Sequence, residues 1–261
     1  RGGARPATER PSIVFISNNP SEAFFHSMAH MEAFLEGTRQ QAIRCGFRAE
    51  LLVAGGENPN GPALDRRLAA LQCEGLILGA LHPERPPVEC NWSRFALAKI
   101  DSRHMAPAAP FVSNDQMQVV RLAFRHARAL GYRRIGLVVG RCDEQATLYQ
   151  YSSGWLLEQE GLPVGERIPI LSYSHWETVT AEIGEWASRF RPDAVLFNVS
   201  GPDAAALAAH ISDRRPVAFA LLHVAGDGHN VAGVAQNCEL VGSKAADLVM
   251  SGIRNNRRGP I

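Results

Sequence analysis

The segment SIVFISNNPSEAFFHSMAHMEAFLEGTRQQAIRCG, residues 12–46, contains the pattern that decides the fold. Four apolar residues, Ile13 to Ile16, precede a short turn. Apolar residues then recur three and four positions apart, which places them on one face of a helix. Gly46 is positioned to end that helix in the left-handed conformation. The segment therefore predicts a buried strand followed by an amphipathic helix.

The same alternation of strand and helix continues along the chain. Short apolar runs predict strands, and segments of helical periodicity separate them. The predicted strands lie at residues 13–16, 50–53, 75–78, 96–100, 135–139, 168–171, 194–197 and 217–222. Near-continuous apolar strands separated by helices indicate parallel sheets covered on both faces. The strands are too many for one compact sheet, so we predict an α/β protein of two doubly wound, Rossmann-like lobes.

Composition excludes several classes of function. The 261 residues are 46% hydrophobic and carry a formal net charge of +1, which offers no bulk attraction to nucleic acid or an anionic membrane. No apolar run approaches the roughly 20 residues that a membrane-spanning helix needs. The five cysteines are scattered and form no C-x-x-C pair, as expected of free thiols in a reducing compartment. We therefore expect a cytoplasmic protein.

Motifs for catalysis and for metal binding are missing. The sequence has no G-x-S-x-G, H-E-x-x-H or G-x-x-x-x-G-K-[ST] motif, so we predict no enzyme activity, cofactor or metal. His26 and His30 stand four apart on a helix, but no third ligand is marked nearby, so we interpret them as solvated or interface histidines. Asp143 and Glu144 follow a strand without a catalytic partner and are interpreted as charges of a loop or helix start.

The loops that follow the strands share a different chemistry. Ligands of such sheets bind at the carboxyl ends of the strands. There the loops combine amide, hydroxyl and aromatic groups, which suit a polyhydroxylated ligand. These residues are Asn18, Asn19, Phe24, Phe25, Trp92, Asn114, Tyr151, Trp155, Tyr173, Trp176, Asn198, His223, Gln236 and Asn237. Trp155 is interpreted as a core residue, whereas Trp92 and Trp176 stay open between core and ligand.

One segment carries a specific likeness. Residues 129–136, ALGYRRIG, resemble the L-G-[HY]-R-R-I-[AG] segment in the effector-binding core of the LacI/GalR family of bacterial transcriptional regulators. Other segments are similar to further motifs of that family, in the same order. They are residues 34–37 with 42–47, 73–79, 154–162, and 233–237 with 241–242 and 257–259.

The resemblance implies a periplasmic-binding-protein type I fold, in which crossover strands join two lobes that flank a ligand cleft. The implied N-terminal lobe is residues 12–131 plus 231–249, and the C-terminal lobe is residues 132–230 plus 250–261. Residues 1–11 would be the linker from a DNA-binding headpiece that this chain lacks. The resemblance also implies a homodimer, and a small effector that is often a sugar.

The resemblance also bears on the binding residues. Trp176, Asn198 and Gln236 match positions that line the cleft in the family, and the family's aspartate after the edge strand corresponds to Asp115 or Gln118. Tyr151 and His223 replace a ligand-gripping arginine and aspartate, which argues against the usual pyranose grip. The candidate ligand-binding residues are Asn18, Phe24, Trp92, Asp115, Tyr151, Trp176, Asn198, His223 and Gln236.

Three functions follow as hypotheses. The first is a regulator core in which the effector stabilises one lobe arrangement and thereby controls DNA binding by the headpiece. The second is a solute-binding protein of a sugar ABC importer, which predicts an export signal upstream of Arg1. The third is an enzyme of the doubly wound class, which would need a cofactor fingerprint or a catalytic set.

Overall fold

Two five-stranded parallel sheets organise the chain in a computed structural model that describes residues 10–199, 201–211, 217–224 and 231–261. Each sheet belongs to its own compact unit. The first unit comprises Arg1–Asn114 and Asn237–Ile261, and the second comprises Asp115–Gln236. The prediction of an α/β protein with two parallel-sheet lobes is confirmed.

The first unit has the strand order β2-β1-β3-β4-β5, with every pair parallel. Its elements are β1 (Ser12–Ser17), α1 (Glu22–His26), α2 (Ala29–Arg44), β2 (Arg48–Val53), α3 (Pro62–Ala70), β3 (Cys73–Leu78), β4 (Ala96–Ile100), β5 (Phe111–Val112) and α9 (Cys238–Arg254). Helices α2 and α9 cover one face of this sheet. Their buried residues, among them Leu35 and Val249, join Phe15 and Ile77 of the strands in one core cluster.

The second unit repeats this design with the order β10-β9-β8-β6-β7, again all parallel. Its elements are α4 (Gln116–Ala129), β6 (Ile135–Gly140), α5 (Arg141–Ala146), α6 (Gln150–Glu160), β7 (Leu171–Tyr173), α7 (Trp176–Phe190), β8 (Ala194–Phe197), α8 (Gly201–Ile211), β9 (Ala218–Val224) and β10 (Gly233–Ala235). Trp155 is fully buried between α4 and the sheet, as the sequence indicates for this tryptophan.

Strand β7 begins later than the sequence predicts. The sequence favours residues 168–171, whereas β7 pairs with β6 only from Leu171, opposite Val138. Pro169 has no N–H to donate to a strand partner. The side chain of Gln159 hydrogen-bonds both backbone groups of Ile168. The Ile168 N–H donates to the Oε1 of Gln159 at 2.9 Å, and the Nε2 of Gln159 donates to the Ile168 carbonyl at 2.6 Å. These local bonds compete with strand pairing and delay it.

The two units divide the chain differently from the predicted lobes. Helix α4 falls in the second unit, because Val120 and Phe124 on its apolar face pack with residues of that unit. The residues after α9 fall in the first unit, where Gly259 donates its N–H to the carbonyl of Phe95 at 2.9 Å. The predicted boundary at residue 230 and most of the predicted linker lie outside the described residues. Among the described residues, no helix is both long and apolar enough to cross a membrane.

Candidate functional site

In the first unit, the side chain of Asn18 binds a neighbouring loop. Its Nδ2 donates to the carbonyl of His82 at 3.0 Å, and its Oδ1 accepts from the backbone N–H of His82 at 2.9 Å. Asn18 is buried at the end of β1. Its amide therefore holds the loop that follows β3 against the end of β1.

The two aromatic candidates of the first unit have different surroundings. Phe24 is 41% exposed, and the guanidinium carbon of Arg85 lies 5.0 Å from its ring centroid. Arg85 also donates to the Oδ1 of Asn19. Trp92 lies in a 3-10 turn and packs, partly buried, against a core cluster of the first unit. Phe24 is thus the more accessible of the two aromatic residues, and the guanidinium of Arg85 forms a cation–π contact with its ring.

Asp101 is a titratable group of the first unit that sequence reasoning did not select. It directly follows β4, and its backbone N–H donates to the carbonyl of Val112 at 3.0 Å. Removal from water raises the pKa of its carboxyl to about 7. The side chain of Asn114 hydrogen-bonds the neighbouring thiol of Cys238 at the start of α9. The only sequence signal for Asp101 is its place immediately after a strand.

In the second unit, the ends of β6 and β8 bring Asp143 and Asn198 together. The Nδ2 of Asn198 donates to the Oδ2 of Asp143 at 3.1 Å, although 55 positions separate the two residues. Removal from water raises the pKa of Asp143 to about 6, the negative charge of Glu144 adds to this, and the hydrogen bond from Asn198 opposes it. Asp143 lies in the first turn of α5, as its interpretation as a charge of a loop or helix start allows, and its hydrogen bond to Asn198 is the feature that the sequence did not show.

An aromatic pair stands beside this carboxyl group. The rings of Tyr173 and Trp176 are 5.9 Å apart between centroids in an edge-to-face arrangement, and Trp176 is 42% exposed. A Cβ atom on Gly140 would lie 2.8 Å from the Oδ2 of Asp143 and 3.4 Å from the Oη of Tyr173. The phenol and the carboxylate therefore share the space that the missing side chain of Gly140 leaves open.

Tyr151 belongs to the core of the second unit. It is 5% exposed and packs in the cluster that contains Phe124 and Trp155. The start of its helix, α6, is capped from outside: the Oε1 of Glu144 accepts from the backbone N–H of Ser152 at 2.9 Å and from its hydroxyl at 2.7 Å. The role of Tyr151 as a ligand contact stays a prediction.

Gln236 takes part in a pair of side-chain amides. Its Nε2 donates to the carbonyl of Leu222 at 2.9 Å and to the Oε1 of Gln116 at 3.1 Å. The Nε2 of Gln116 donates in return to the Oε1 of Gln236 at 3.2 Å. The protein itself therefore orients the amide of Gln236, which directly follows β10, through Gln116 at the start of α4.

The other two candidates of the second unit differ in exposure. Asp115 is exposed and caps α4, its Oδ1 accepting from the backbone N–H of Gln118 at 3.0 Å. His223 is partly buried near the end of β9, and removal from water lowers the pKa of its imidazole. His223 is therefore neutral at pH 7 and acts as a hydrogen-bonding group without charge. The rest of the predicted loop after His223, from Ala225 to Asn230, lies outside the described residues.

The two histidines considered for metal binding have separate partners. The Nδ1 of His26 is hydrogen-bonded to the Oε1 of Glu32. The ring of His30 packs edge-on against Phe34 with 6.1 Å between centroids. Each histidine therefore has a contact on its own part of the first unit, and the interpretation as solvated or interface histidines stays a prediction.

Four residues from three adjacent strand ends are the best-supported candidate site. The carboxyl ends of β6, β7 and β8 of the second sheet carry four residues that we call the second-sheet cluster: Asp143, Tyr173, Trp176 and Asn198. Sequence reasoning selected Trp176 and Asn198, included Tyr173 among the loop aromatics, and missed Asp143 as a binding group. The cluster offers a carboxylate, a phenol, an amide and an exposed indole, which together suit a small polar ligand.

Comparison with curated proteins gives one short match. An uncharacterized HTH-type transcriptional regulator in the aml 5' region of Streptomyces limosus is 30% identical over 117 residues. This match covers 41% of the present chain and 32% of that relative, so it spans about a third of the relative's length. No family model matches the chain.

Solved structures are similar over nearly the whole chain. A complex of the transcriptional regulator CelR with cellobiose has a TM-score of 0.69 at 18% identity, covering 98% of this chain and 82% of that one. A LacI transcriptional regulator from a Rhodococcus species has a TM-score of 0.68 at 14% identity, covering 96% and 94%. One from Lactobacillus brevis has a TM-score of 0.66 at 13% identity, covering 97% and 96%. At these identities the likeness is one of fold.

Proposed function

We propose that residues 1–261 are the effector-binding core of a transcriptional regulator of the LacI/GalR family and that the effector is a carbohydrate. The observation that carries this proposal is the fold match, over 98% of the chain, to a regulator solved with cellobiose. The ALGYRRIG segment at residues 129–136 and the short match to an HTH-type regulator point to the same family.

The second-sheet cluster supports a small polar effector. Sugars combine apolar C–H faces, which pack on aromatic rings, with hydroxyl groups that donate and accept hydrogen bonds. Trp176 offers an exposed ring, and Asp143 with Asn198 offers an acceptor and an amide already held in position. Asn18, Phe24, Trp92, Asp115, Tyr151, His223 and Gln236 are proposed as further contacts or as supports of the binding loops.

In the whole protein, the effector would control DNA binding by a helix-turn-helix segment outside residues 1–261, in a cytoplasmic homodimer. Such a ligand can bias a conformational equilibrium only by its differential affinity, about 1.4 kcal/mol for each tenfold. The name and the greater length of the Streptomyces limosus relative support this wider proposal. The neighbours reported above are regulators, and none of their names indicates an enzyme or an importer component.

A thermal-shift screen followed by calorimetry tests the core of the proposal. The purified chain is screened against mono- and disaccharides that include cellobiose, and each hit is titrated. We expect at least one sugar to raise the melting temperature and to bind with one-site stoichiometry. Trp176→Ala should weaken that binding at least tenfold, whereas Trp186→Phe in the core should change the melting temperature more than the affinity. Absence of any sugar hit, or a hit unaffected by Trp176→Ala, would contradict the proposal.

A further inference from the structure

Asn60 and Gly61 form the one Asn-Gly pair of the sequence. An asparagine side chain is labile before glycine, because the backbone nitrogen of the following residue can attack the side-chain Cγ and glycine has no Cβ to hinder that approach. The pair lies between β2 and α3, where Gly61 is the N-cap residue of α3. The local structure of this junction therefore determines whether the reaction can occur.

Both polar atoms of the Asn60 amide are bound to the loop that follows β3. The Nδ2 of Asn60 donates to the carbonyl of Pro87 at 3.0 Å, and its Oδ1 accepts from the backbone N–H of Glu89 at 2.7 Å. The N–H of Gly61 donates to the carbonyl of Glu89 at 2.8 Å. The attacking nitrogen and the amide that it would attack are therefore each held by residues 87–89.

We propose that Asn60 is a site of spontaneous deamidation and that its contacts with residues 87–89 suppress the reaction in the folded chain. The nitrogen of Gly61 loses its proton and bonds to the Cγ of Asn60, while the C–N bond of the amide breaks and ammonia leaves with that proton. Water then opens the resulting succinimide at either carbonyl and gives aspartate or isoaspartate at position 60. The inference does not depend on the proposed function.

The first argument is the hydrogen bonding of the reacting groups. The attacking nitrogen must give up the proton that it donates to the carbonyl of Glu89. Closing the succinimide ring also requires rotation of the Asn60 side chain, which breaks both of its bonds to the neighbouring loop. Because polar groups that lose their partners cost free energy, the reaction requires that the two loops first separate. Such a separation is a local unfolding event, which the folded state populates only weakly.

The second argument is the backbone of Gly61. Its φ is +53° and its ψ is −131°, a conformation that residues with a Cβ rarely adopt. Its carbonyl also accepts from the N–H of Asp65 at 3.0 Å in the first turn of α3. The junction thus requires glycine at position 61 and uses the amide at position 60 as a bridge. The residues that build the junction are therefore those that react once it opens.

The third argument is the support that α3 gives to the neighbouring loop. The Oδ1 of Asp65 accepts from the backbone N–H of Asn91 at 2.9 Å. Val88 is 7% exposed and packs in a core cluster of the first unit. These contacts hold residues 87–89 beside Asn60. Asp65 can be replaced without any change to the reacting pair, and its loss should make the separation of the loops more frequent.

Peptide mapping by mass spectrometry tests the inference. The chain is incubated at pH 8 and 37 °C, natively and in 6 M guanidinium chloride, and the tryptic peptide 49–66 is analysed over time. We expect Asn60 to deamidate at least about 30-fold more slowly in the native chain than in the unfolded chain. Asn58 in the same peptide is the internal control, because it precedes a proline, whose nitrogen has no proton to lose.

Two variants test the role of the loop contacts. Asp65→Ala should raise the native rate of Asn60 deamidation at least about threefold, because the neighbouring loop loses a contact with α3. Glu185→Ala removes an exposed carboxylate on α7 of the second unit and should leave that rate unchanged. The melting temperature of each variant shows whether it is folded.

Three results would overturn the inference. Equal Asn60 rates in the native and unfolded chains overturn protection by the fold. A rate in the unfolded chain no faster than those of Asn91 and Asn255 overturns the assignment of the labile site. An unchanged rate in a folded Asp65→Ala chain overturns the guarding role of residues 87–89. The comparison on the unaltered chain decides the protection even if the Asp65 variant does not fold, and none of these results bears on sugar binding.

Discussion

The Nδ2 of Asn198 lies 3.1 Å from the Oδ2 of Asp143, which joins the loop after β8 to the helix that follows β6. Asn198 is a candidate ligand-binding residue from the sequence, whereas Asp143 is not among those candidates. The bond also places a titratable group with a raised pKa at the edge of the sheet where ligands of this fold bind. Two of the predictions below depend on this pair.

The affinity for a neutral sugar should fall in acid. The pKa of Asp143 is about 6, so the carboxylate is charged at pH 7.5 and protonated at pH 5. Protonation removes the charge that strengthens bonds from ligand hydroxyls. We expect affinity to decline by at most about tenfold for each pH unit below 6, measured by calorimetry from pH 8 to pH 5.

Asp143→Asn isolates this group from its neighbours. Burial raises the pKa of Glu144 and lowers that of His223, and the charges of Asp143 and Asp203 both help to raise the pKa of the Tyr173 phenol. The variant should bind more weakly at pH 7.5 and show a flat profile between pH 5 and pH 7.5. A decline as steep as that of the unaltered chain would assign the titration to one of those neighbours.

The same substitution should stabilise the fold at neutral pH. The pKa of Asp143 is about 6 in the folded chain against 3.8 for an aspartate side chain in water, so folding favours the protonated form. The contribution of this proton is complete below pH 3.8 and is lost as the pH rises through 6. We expect Asp143→Asn to raise the free energy of unfolding by about 1–3 kcal/mol at pH 7.5 and by almost nothing at pH 4. Urea unfolding at both pH values measures this, and an equal effect at both would contradict it.

Two glycines should control the packing of α2 against α9. A Cβ on Gly37 would lie 1.9 Å from the carbonyl oxygen of Glu239, and one on Gly242 would lie 1.9 Å from that of Phe34. Backbone atoms cannot yield without separating the helices, so Gly37→Ala and Gly242→Ala should each lower the free energy of unfolding by about 2–3 kcal/mol.

The control for these glycines is Gly184 on α7. A Cβ there would meet no atom within 4 Å, so Gly184→Ala should stabilise the chain by about 0.5–1 kcal/mol through helix propensity. Equal melting temperatures for Gly37→Ala and Gly184→Ala would show that the close approach of α2 and α9 does not limit stability.

Lys99 should be a structural cation of the first unit. Its buried Nζ donates to the carbonyls of Arg103, Met105 and Pro107, and burial lowers its pKa. Lys99→Met would leave these three carbonyls without that donor, and we expect it to lower the free energy of unfolding by about 2–4 kcal/mol.

The other lysine of the chain is the matched control. Lys244 is exposed and pairs with Asp247 at 3.1 Å on α9. Lys244→Met should change the free energy of unfolding by less than about 1 kcal/mol, because exposed ion pairs contribute little. Chemical unfolding of the two variants side by side measures the difference, and similar losses would contradict the special role of Lys99.

Local patterns predicted most elements but not all their partners. The run Ile13–Ile16 and the helix that ends near Gly46 follow from apolar spacing and from one glycine, both of which are read within a few residues. Strand β7 began later than its apolar run because side-chain bonds from Gln159 and the missing N–H of Pro169 prevented earlier pairing. Such competition is invisible to periodicity.

The candidate site shows the same limit. Asn198 and Trp176 could be selected because they follow predicted strands, and the chemistry of amides and indoles is a property of each residue alone. Asp143 was interpreted as a charge of a loop or helix start because the sequence marks no catalytic histidine or second acid beside it. Its hydrogen-bond partner, Asn198, is 55 positions away. Tyr151 was selected as a ligand contact from its place in the sequence, and only the packing of α6 on α4 shows that its side chain is largely buried.

The sequence by itself determined that strands and helices alternate, that the strands are buried and parallel, and that polar loops end them. These properties follow from spacing, caps and hydrophobicity along short stretches. Only the tertiary structure decided that α4 belongs with the second sheet and that Asp143 meets Asn198. The periodicity of an amphipathic helix predicts that its apolar face is buried. It does not identify the surface that packs against that face, because contacts between segments far apart in the chain determine that surface.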